Sequence, residues 1–535
     1  MTDHPWWETA VIYQIYPRSF QDTNGDGIGD LAGVIERLDY LAETLGVDAI
    51  WLSPFFPSPM KDFGYDVSDY CGVEPLYGDL ATFDRLVAEA HRRNLKLIID
   101  WVPNHTSDQH RWFIESRSSR INSKRDWYVW RDPLPDGSPP NNWAAAFGGG
   151  SWEWDETTGQ YYLHSFLKEQ PDLNWRNPEV EKTMLDTLRF WLDRGVDGFR
   201  IDVAHHIMKD PELRDNPVVT EIDDDFPLAA YATQRHVNDR GHPDVHEVFR
   251  KVRALLESYQ PPRYSVGEIH EYEWPVWASY YGENLDGLHM PYNFAMLQAP
   301  WTAKHIRRVV ESVEAAVPPG AWPNYVLGNH DEIRIATRLG TTETRIAAML
   351  LLTLRGTPTL YYGDEIGILQ ADIPPHCQQD PLGRTVPGMG RDGCRTPMQW
   401  TGAAGAGFTQ PTAQPWLPPS EDARTRNVDA LAAAPDSLLN LYRRLLDLRH
   451  REPALRVGDY RPLKAGRSVF AYLRDDGRSR LAVALNLTRD VQPAGTIAAS
   501  GSGRVLLSTA LDREGPVALG KLKLRPHEGV IVKFD

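Results

Sequence analysis

Short apolar runs rich in β-branched residues recur eight times in the first 365 residues, separated by segments with helical periodicity. Strands that alternate with helices in this way are typical of repeated βα units and a parallel sheet. Eight such runs, joined by right-handed crossovers, predict an α/β fold with a closed (β/α)8 barrel. The predicted strands are residues 11–16, 47–52, 95–102, 198–203, 264–269, 285–290, 325–327 and 357–362.

Two stretches depart from the barrel pattern. Residues 104–170, between the third and fourth predicted strands, are too long for an ordinary βα loop and are rich in Trp, Tyr, Pro and Gly. We therefore expect a small inserted domain there, between barrel segments 1–103 and 171–455. Alternating runs near the C-terminus predict a domain of residues 456–535 that forms an antiparallel β-sandwich.

Charge and cysteine usage narrow the class of protein. Lys plus Arg number 57 against 73 Asp plus Glu, and the net charge of −16 opposes general attraction to nucleic acid or anionic lipid. We therefore expect neither nucleic acid nor a membrane as a partner. The three cysteines lack CxxC spacing and the N-terminus lacks a signal-peptide pattern, which together predict a cytoplasmic protein.

Charged side chains follow several predicted strands, at the barrel rim where active sites form. Arg200 and Asp202 are two residues apart on a strand and share one face, so we expect the guanidinium to hold the carboxylate ionised. Apolar neighbours of Glu268 are expected to raise its pKa, as suits a general acid. Two carboxylates in opposed environments are typical of glycoside cleavage. The alternative is a structural Arg–Asp pair with an unrelated Glu at the rim.

The segment at 22–30, DTNGDGIGD, places an oxygen ligand at every second residue, with glycines for the turn. This spacing is typical of a calcium loop, although Gly33 stands at position twelve, where an EF-hand has Glu. We predict a structural cation site that prefers Ca²⁺ to Mg²⁺; a polar turn without metal is the alternative. The expected ligands are the side chains of Asp22, Asn24, Asp26 and Asp30 and the carbonyl of Ile28.

Several short motifs resemble the conserved regions of the α-amylase family, glycoside hydrolase family 13, in order and spacing. They are DWVPNH at 100–105, GFRID at 198–202, GE at 267–268 and NHD at 329–331. Others resemble the oligo-1,6-glucosidase and α-glucosidase branch of that family. They are QPDLN at 170–174, GDE at 363–365 and RTPMQW at 395–400. The resemblance covers residues 6–535, more loosely in the C-terminal domain.

This resemblance implies that Asp202 is the nucleophile, that Glu268 is the acid/base, and that Asp331 grips the sugar hydroxyls as the ring distorts. Asp62 and Arg391 resemble the pair that closes the pocket on the non-reducing side. The resemblance also implies a tyrosine that stacks on the −1 glucose, side chains that bind its hydroxyls, and aromatic rings on the aglycone side. The residues expected to bind substrate in these ways are Tyr65, His105, Phe147, Phe166, Gln170, Arg200 and His330. Core packing within the insert is the alternative for the two phenylalanines.

The expected activity is that of a retaining, exo-acting α-glucosidase that needs no organic cofactor. Its expected substrates are maltose, short maltooligosaccharides, isomaltose-like sugars or sucrose. A glucosyl-transferring or isomerising enzyme is the nearest alternative, because a sugar can replace water in the second step. Heavy subunits of amino-acid transporters also resemble the family, but Asp202, Glu268 and Asp331 are intact and no membrane segment is apparent.

Two positions depart from the family pattern. Glu332 follows Asp331 where many relatives have Gln, and an extra carboxylate there is expected to shift nearby pKa values. Val203 and Ala204, in the stretch that tunes linkage preference, match neither of the commonest branch patterns. The preferred linkage therefore stays open.

Overall fold

The computed structural model describes residues 4–219, 229–386, 388–494 and 501–535. Eight parallel strands form a single sheet with the order β7-β8-β1-β2-β3-β4-β5-β6, in which the strands are numbered along the chain. These barrel strands are β1 (Ile12–Ile15), β2 (Ala49–Leu52), β3 (Lys96–Trp101), β4 (Gly198–Ile201), β5 (Tyr264–Glu268), β6 (Met290–Tyr292), β7 (Asn324–Val326) and β8 (Thr357–Tyr361). The predicted (β/α)8 barrel is confirmed.

Strands β6 and β7 are the two ends of this sheet order, and the side chain of Asn324 in β7 connects them. The amide of Asn324 donates from Nδ2 to the carbonyl of Pro291 at 2.7 Å, and its Oδ1 accepts the N–H of Asn293 at 3.1 Å. A side-chain amide thus takes the place of a backbone ladder, because it offers one donor and one acceptor as a peptide group does.

The sixth strand starts later than predicted. Residues 285–290 were expected to be extended, but Leu285 has a left-handed φ of 58° and the N–H of Gly287 donates back to the carbonyl of Tyr281. These contacts form a turn, and the strand begins only at Met290. The apolar run reflects a turn whose leucines pack against the core, which periodicity cannot distinguish from a strand.

The helices pack around the barrel through apolar faces. In Leu80–Arg92 the predicted face is buried, and Asp79 caps the N-terminus by accepting the N–H of Thr82. The α-helices of the described segments are Trp6–Thr9, Leu31–Glu36, Leu80–Arg92, Arg111–Ser118, Pro178–Asp193, Ala229–Ala232, Val245–Glu257, Trp274–Ser279, Ala295–Gln298, Ala303–Ala316, Ile335–Leu339, Glu343–Thr353, Pro381–Thr385, Val428–Ala433, Leu438–Arg451 and Pro453–Val457.

The long connection between β3 and β4 carries its own small sheet. Its antiparallel strands are ordered Trp130–Arg131, Gln160–Leu163 and Trp152–Asp155. Trp143, Trp152 and Leu163 form a separate apolar cluster beneath them. This part of the chain supplies side chains to the mouth of the barrel, and the limits 104 and 170 stay a prediction.

The C-terminal part is antiparallel, as predicted. Its six-stranded sheet has the order Asp459–Pro462, Val469–Asp475, Arg480–Asn486, Gly529–Phe534, Ser502–Ser508 and Gly515–Ala518, and a second sheet pairs Gln492–Pro493 with Lys523–Leu524. Phe470 and Tyr472 join the main core, whereas Val469 and Ala471 face the small cluster on the other side. This alternation is the period of two that a sheet buried on both faces requires.

Within the described ranges, no helix combines the length and the apolar character that a membrane crossing needs. All three cysteines lie in described segments, and each is a free thiol.

Candidate active site

Arg200 in β4 links the carboxyl ends of three neighbouring strands. Its Nη1 donates to Oδ1 of Asp100 in β3 and to Oδ1 of Asp202 just after β4, each at 2.7 Å. Its Nη2 donates to Oε2 of Glu268 at the end of β5, at 2.6 Å. Arg200 is only 3% exposed, and a guanidinium buried this deeply needs such carboxylate partners. One side chain therefore determines the relative positions of the proposed nucleophile and acid/base.

The backbone after Asp202 makes a tight, strained turn. Val203 has a φ of 35° and a ψ of 46°, a left-handed conformation that is rare for a β-branched residue. Its N–H donates to Oε2 of Glu268 at 3.1 Å. Together with the bond from Arg200, this contact gives Oε2 two donors. Strain of this kind costs about 1–3 kcal/mol and persists where the surroundings hold it, as at active sites.

Asp202 and Glu268 share the Arg200 guanidinium, and in the chain without substrate the directions of their pKa shifts differ from those expected from the sequence. Burial raises the pKa of Asp202 well above its usual range, and the Glu268 carboxylate adds to this rise in spite of Arg200. Burial also raises the pKa of Glu268, but Arg200 and a hydrogen bond from His270 outweigh it and leave that pKa below its usual range. The sequence could not show that Arg200 contacts both carboxyls, nor that His270 contacts the carboxyl of Glu268 and not that of Asp202.

Asp331, after β7, is held ionised by its neighbours. Its Oδ1 accepts from Nη1 of Arg391 and from Nη2 of Arg395, both at 2.9 Å. Burial raises its pKa, but the adjacent His330 ring and the guanidinium charges of Arg391 and Arg395 outweigh burial and hold that pKa well below its usual range. The side chain is still 31% exposed, so an ionised oxygen faces the cavity.

Tyr65 and His330 form a flat stacked pair. Their rings are 5.4 Å apart with an interplanar angle of 5°, and Oη of Tyr65 lies 2.7 Å from Nε2 of His330. Burial lowers the pKa of His330 to about 3. Gln14 donates to Nδ1 at 2.8 Å, so the neutral ring carries its proton on Nε2, the atom beside Tyr65.

Arg391 closes one end of the site with three carboxylates. Its Nη2 donates to Oδ1 of Asp62 at 2.9 Å and to Oδ1 of Asp380 at 2.7 Å, and its Nη1 contacts Asp331. The Nε and the backbone N–H of Arg391 also donate to Asp380, which is fully buried. Asp62 in turn accepts from Nε2 of Gln170 at 3.2 Å. Asp380 thus orients the guanidinium toward the other two carboxylates.

Side chains of the insert form the wall next to Arg391. Nε2 of Gln170 lies 3.1 Å from Nε2 of His105, and the His105 ring lies 5.2 Å from Phe166. Phe147 packs edge-on against Phe166 at 5.7 Å and lies under the guanidinium of Arg391 at 5.1 Å. Burial lowers the pKa of His105 to about 4, so this wall is neutral near pH 7.

These residues surround one cavity of about 620 Å³. Gln170 and Arg200 do not line it; both lie behind it and orient residues that do. The predicted site residues that line the cavity are Asp62, Tyr65, His105, Phe147, Phe166, Asp202, Glu268, His330, Asp331 and Arg391. Of the three residues that depart from the family pattern, Val203 and Glu332 also line it, whereas Ala204 does not. Burial and the adjacent Asp331 raise the pKa of Glu332.

Sequence reasoning missed several residues of this site. Asp380 and Arg395 hold the charged network in place, and His270 contacts Glu268. The position of His270, two residues beyond Glu268 and just after β5, was a usable signal, because a side chain so close along the chain is within reach of the Glu268 carboxyl. Asp380 offered none, since only the fold brings it to Arg391. The cavity wall also includes His205, His206, Tyr231, Arg240, Tyr272, Gln370, Leu382 and Met389.

The 22–30 segment lies outside this cavity and is held by its own hydrogen bonds. Oδ1 of Asp22 accepts the N–H groups of Asn24 and Gly25, while Asp30 accepts the N–H of Gly33 and so caps the helix that follows. Gly25 and Gly27 have φ values of 82° and 86°, which tight turns require. Among the described residues, no group of three or more His, Cys, Asp or Glu side chains converges as a metal site.

A (β/α)8 barrel with paired carboxylates and a closed, charged pocket at the ends of its strands defines a glycoside hydrolase. Residues 14–458 match the family model described as "Alpha amylase, catalytic domain". The chain belongs to the α-amylase family, glycoside hydrolase family 13.

The comparisons with individual proteins extend over nearly the whole chain. It is 45% identical to a probable alpha-glucosidase of Rhizobium meliloti, over 91% of this chain and 90% of that protein. It is 38% identical to an oligo-1,6-glucosidase of Heyndrickxia coagulans, over 91% and 92%. Among solved structures, the alpha-glucosyl transfer enzyme XgtA superposes with a TM-score of 0.92 at 43% identity, over all of both chains. The trehalulose synthase MutB gives 0.88 at 34% identity, over 99% and 100%.

Proposed function

We propose that this protein is a retaining, exo-acting α-glucosidase that releases glucose from the non-reducing end of short α-glucosides. The observation that carries the proposal is a pair of carboxyls, Asp202 and Glu268, on one guanidinium beside a pocket end closed by Arg391. Carboxyls that are close together favour direct attack on the sugar over attack by an interposed water. The relatives named α-glucosidase and oligo-1,6-glucosidase support the same activity.

In the proposed mechanism, Oδ of Asp202 attacks the anomeric carbon while Glu268 gives its proton to the departing glycosidic oxygen. Water then attacks the glucosyl ester, Glu268 takes back a proton, and Asp202 leaves as a carboxylate. The first step needs the proton on Glu268 rather than on Asp202. Both carboxyls border Arg200, so transfer of one proton between them leaves the net charge around that guanidinium unchanged, and substrate binding selects the reactive form.

The pocket residues are assigned by their chemistry. Asp331, ionised and exposed to the cavity, is proposed to bind two hydroxyls of the distorted glucose, while Tyr65 offers its ring face and His105 and His330 offer neutral ring nitrogens. Arg391 with Asp62 binds the far end of the glucose. Phe166 and Phe147 supply apolar surface to the pocket; the position of Phe147 under the Arg391 guanidinium places it nearer the closed end than the aglycone side expected from the sequence. Gln170, behind the cavity wall, holds Asp62 and His105 in place. Arg200 does the same for Asp202 and Glu268.

Transfer of glucose to a sugar instead of water is the second candidate function. It is favoured by the high similarity to XgtA, an α-glucosyl transfer enzyme, and to trehalulose and isomaltulose synthases. Incubation with maltose or sucrose at high concentration tests it. Two glucose molecules per maltose consumed, or equal amounts of glucose and fructose from sucrose, indicate hydrolysis, whereas new di- or trisaccharides indicate transfer or isomerisation.

We also propose that the loop at 22–30 holds a structural cation, Ca²⁺ in preference to Mg²⁺. Five oxygen donors at alternate positions suit a hard cation, and the glycine turns give the loop its curvature. The carboxylates already accept loop N–H groups, so the cation would add to an ordered turn and would take no part in the chemistry. The ligands proposed are Asp22, Asn24, Asp26, the carbonyl of Ile28, and Asp30.

Proton NMR of the first product tests the assigned mechanism. Retention predicts that the α-anomer of glucose appears first and then mutarotates. An initial β-anomer would indicate direct attack by water and overturn Asp202 as nucleophile. A panel of α-linked disaccharides, assayed for released glucose in the same experiment, identifies the preferred linkage.

A further inference from the structure

Among the residues described, His270 is the only side chain outside the predicted set that the structure places in hydrogen-bond contact with the carboxyl group of Glu268. Its Nε2 lies 2.9 Å from Oε1 of Glu268. The other carboxyl oxygen, Oε2, already accepts from Arg200 and from the N–H of Val203. The proton that Glu268 delivers must therefore be carried on Oε1, the atom beside His270.

The imidazole is held in place by an aromatic partner. The rings of His270 and Phe294 are stacked with centroids 4.5 Å apart and planes within 2° of parallel, and Phe294 is buried. The His270 side chain is nevertheless 37% exposed and lines the cavity. A ring clamped on one face loses little further freedom when it contacts Oε1, so the contact is preorganised.

The charged groups around His270 come from several elements. Glu268 and Glu271 flank it along the chain, Glu332 approaches from the loop after β7, and the His205 ring lies 5.7 Å away. His205 itself contacts the backbone carbonyl of Glu268 at 3.2 Å. Three carboxylates therefore face this imidazole, and Glu268 is the one in hydrogen-bond contact.

We propose that His270 is a positioning residue for proton delivery: it holds Oε1 of Glu268 and stabilises the carboxylate that remains once the proton has left. This role rests on the proposed function. A donor on Oε1 favours the ionised form, so its loss makes Glu268 a weaker acid. The direction of the pKa of Glu268, which His270 helps to lower, agrees with this role.

The test compares His270→Phe, which removes the hydrogen bond but keeps an aromatic ring against Phe294, with His270→Gln, which keeps an amide donor. His246→Phe is the matched control, because His246 is also a partly buried ring packed on an aromatic side chain, Tyr280, and lies outside the cavity. Substituted phenyl α-glucosides serve as substrates, since each carries a single-ring aglycone and they differ in the pKa of the leaving phenol.

For His270→Phe we expect kcat/KM, taken at the pH optimum of each variant so that Glu268 is protonated in both, to fall about tenfold on phenyl α-glucoside, whose departure needs the proton. On 2,4-dinitrophenyl α-glucoside the fall for this variant should be less than about threefold. The basic limb of its pH profile should move up by about one pH unit. His270→Gln should show a smaller change, and His246→Phe none. Equal losses on all leaving groups, or an unmoved basic limb, would overturn the proposed role of His270 and leave the proposed function standing. Failure of the unaltered protein to release any phenol would overturn the proposed function as well.

Discussion

Nη2 of Arg391 lies 2.9 Å from Oδ1 of Asp62, and this contact joins two segments that are 329 residues apart in the chain. Asp380, fully buried, accepts from the same guanidinium and orients it. A sugar beyond the terminal glucose would have to displace this charged pair. We therefore expect the site to be a pocket for one glucose rather than an open cleft for a long chain.

Arg391→Ala and Asp62→Ala should each raise KM for maltose at least tenfold, since each removes one of the two charged groups proposed to bind the far end of the glucose, at a cost of about 2–5 kcal/mol. The double variant should lose less than the sum of the two, as expected for residues in contact. The unaltered protein should convert maltoheptaose labelled at its reducing end to glucose and labelled maltohexaose. Abundant mid-length fragments at the outset would contradict a closed pocket.

Asp202→Asn and Glu268→Gln should each retain less than about 1% of the turnover of maltose, because an amide can neither attack the anomeric carbon nor deliver a proton. Glu268→Gln should still bind substrate. Glu332→Gln is the control, a carboxylate that lines the same cavity without an assigned step. It should stay within about threefold of the unaltered protein, which initial rates on maltose will show. Equal losses in all three variants would contradict the assigned roles.

Acid should destabilise the protein through its buried neutral histidines. Burial lowers the pKa of His105 to about 4 and that of His330 to about 3, while an unfolded histidine titrates near 6.5. Below pH 6.5 the unfolded chain therefore binds protons that the folded chain does not, and stability falls until the folded pKa is reached.

Between pH 6.5 and 4.5 each of these histidines should account for about 2 kcal/mol of lost stability. Calorimetric Tm values across this range should decline, and His105→Gln should flatten the decline even if its Tm at pH 7 is lower. An identical slope in the variant would show that His105 does not contribute.

Removal of a loop cation should lower Tm more than activity at moderate temperature. A ligand that binds only the folded state stabilises it by about 2.7 kcal/mol at a hundredfold excess over Kd. Asp26→Ala is the cleanest variant, because Asp26 is exposed, whereas Asp30 also caps the helix Leu31–Glu36. Its Tm should not respond to added Ca²⁺, while that of the unaltered protein should rise. No response in either protein, with metal removal verified, would refute the site.

The amino-acid sequence by itself determined the barrel and the carboxyl groups at its rim. Hydrophobic periodicity is a local property, so strands such as Gly198–Ile201 and Tyr264–Glu268 could be predicted nearly to their ends, and the residues that follow strands must meet at one rim. The later start of the sixth strand could not be predicted, because an apolar run in a turn and one in a strand have the same sequence pattern.

Only the tertiary structure decided how the rim charges are partnered. Arg200 was expected to pair with Asp202. Because β3, β4 and β5 lie side by side, Arg200 instead contacts three carboxyl groups. Asp380 reaches Arg391, and His270 stacks on Phe294 beside Glu268, through contacts that no local pattern encodes. The strength and protonation of a buried charge depend on every neighbour within a few ångströms, and those neighbours come from distant parts of the chain.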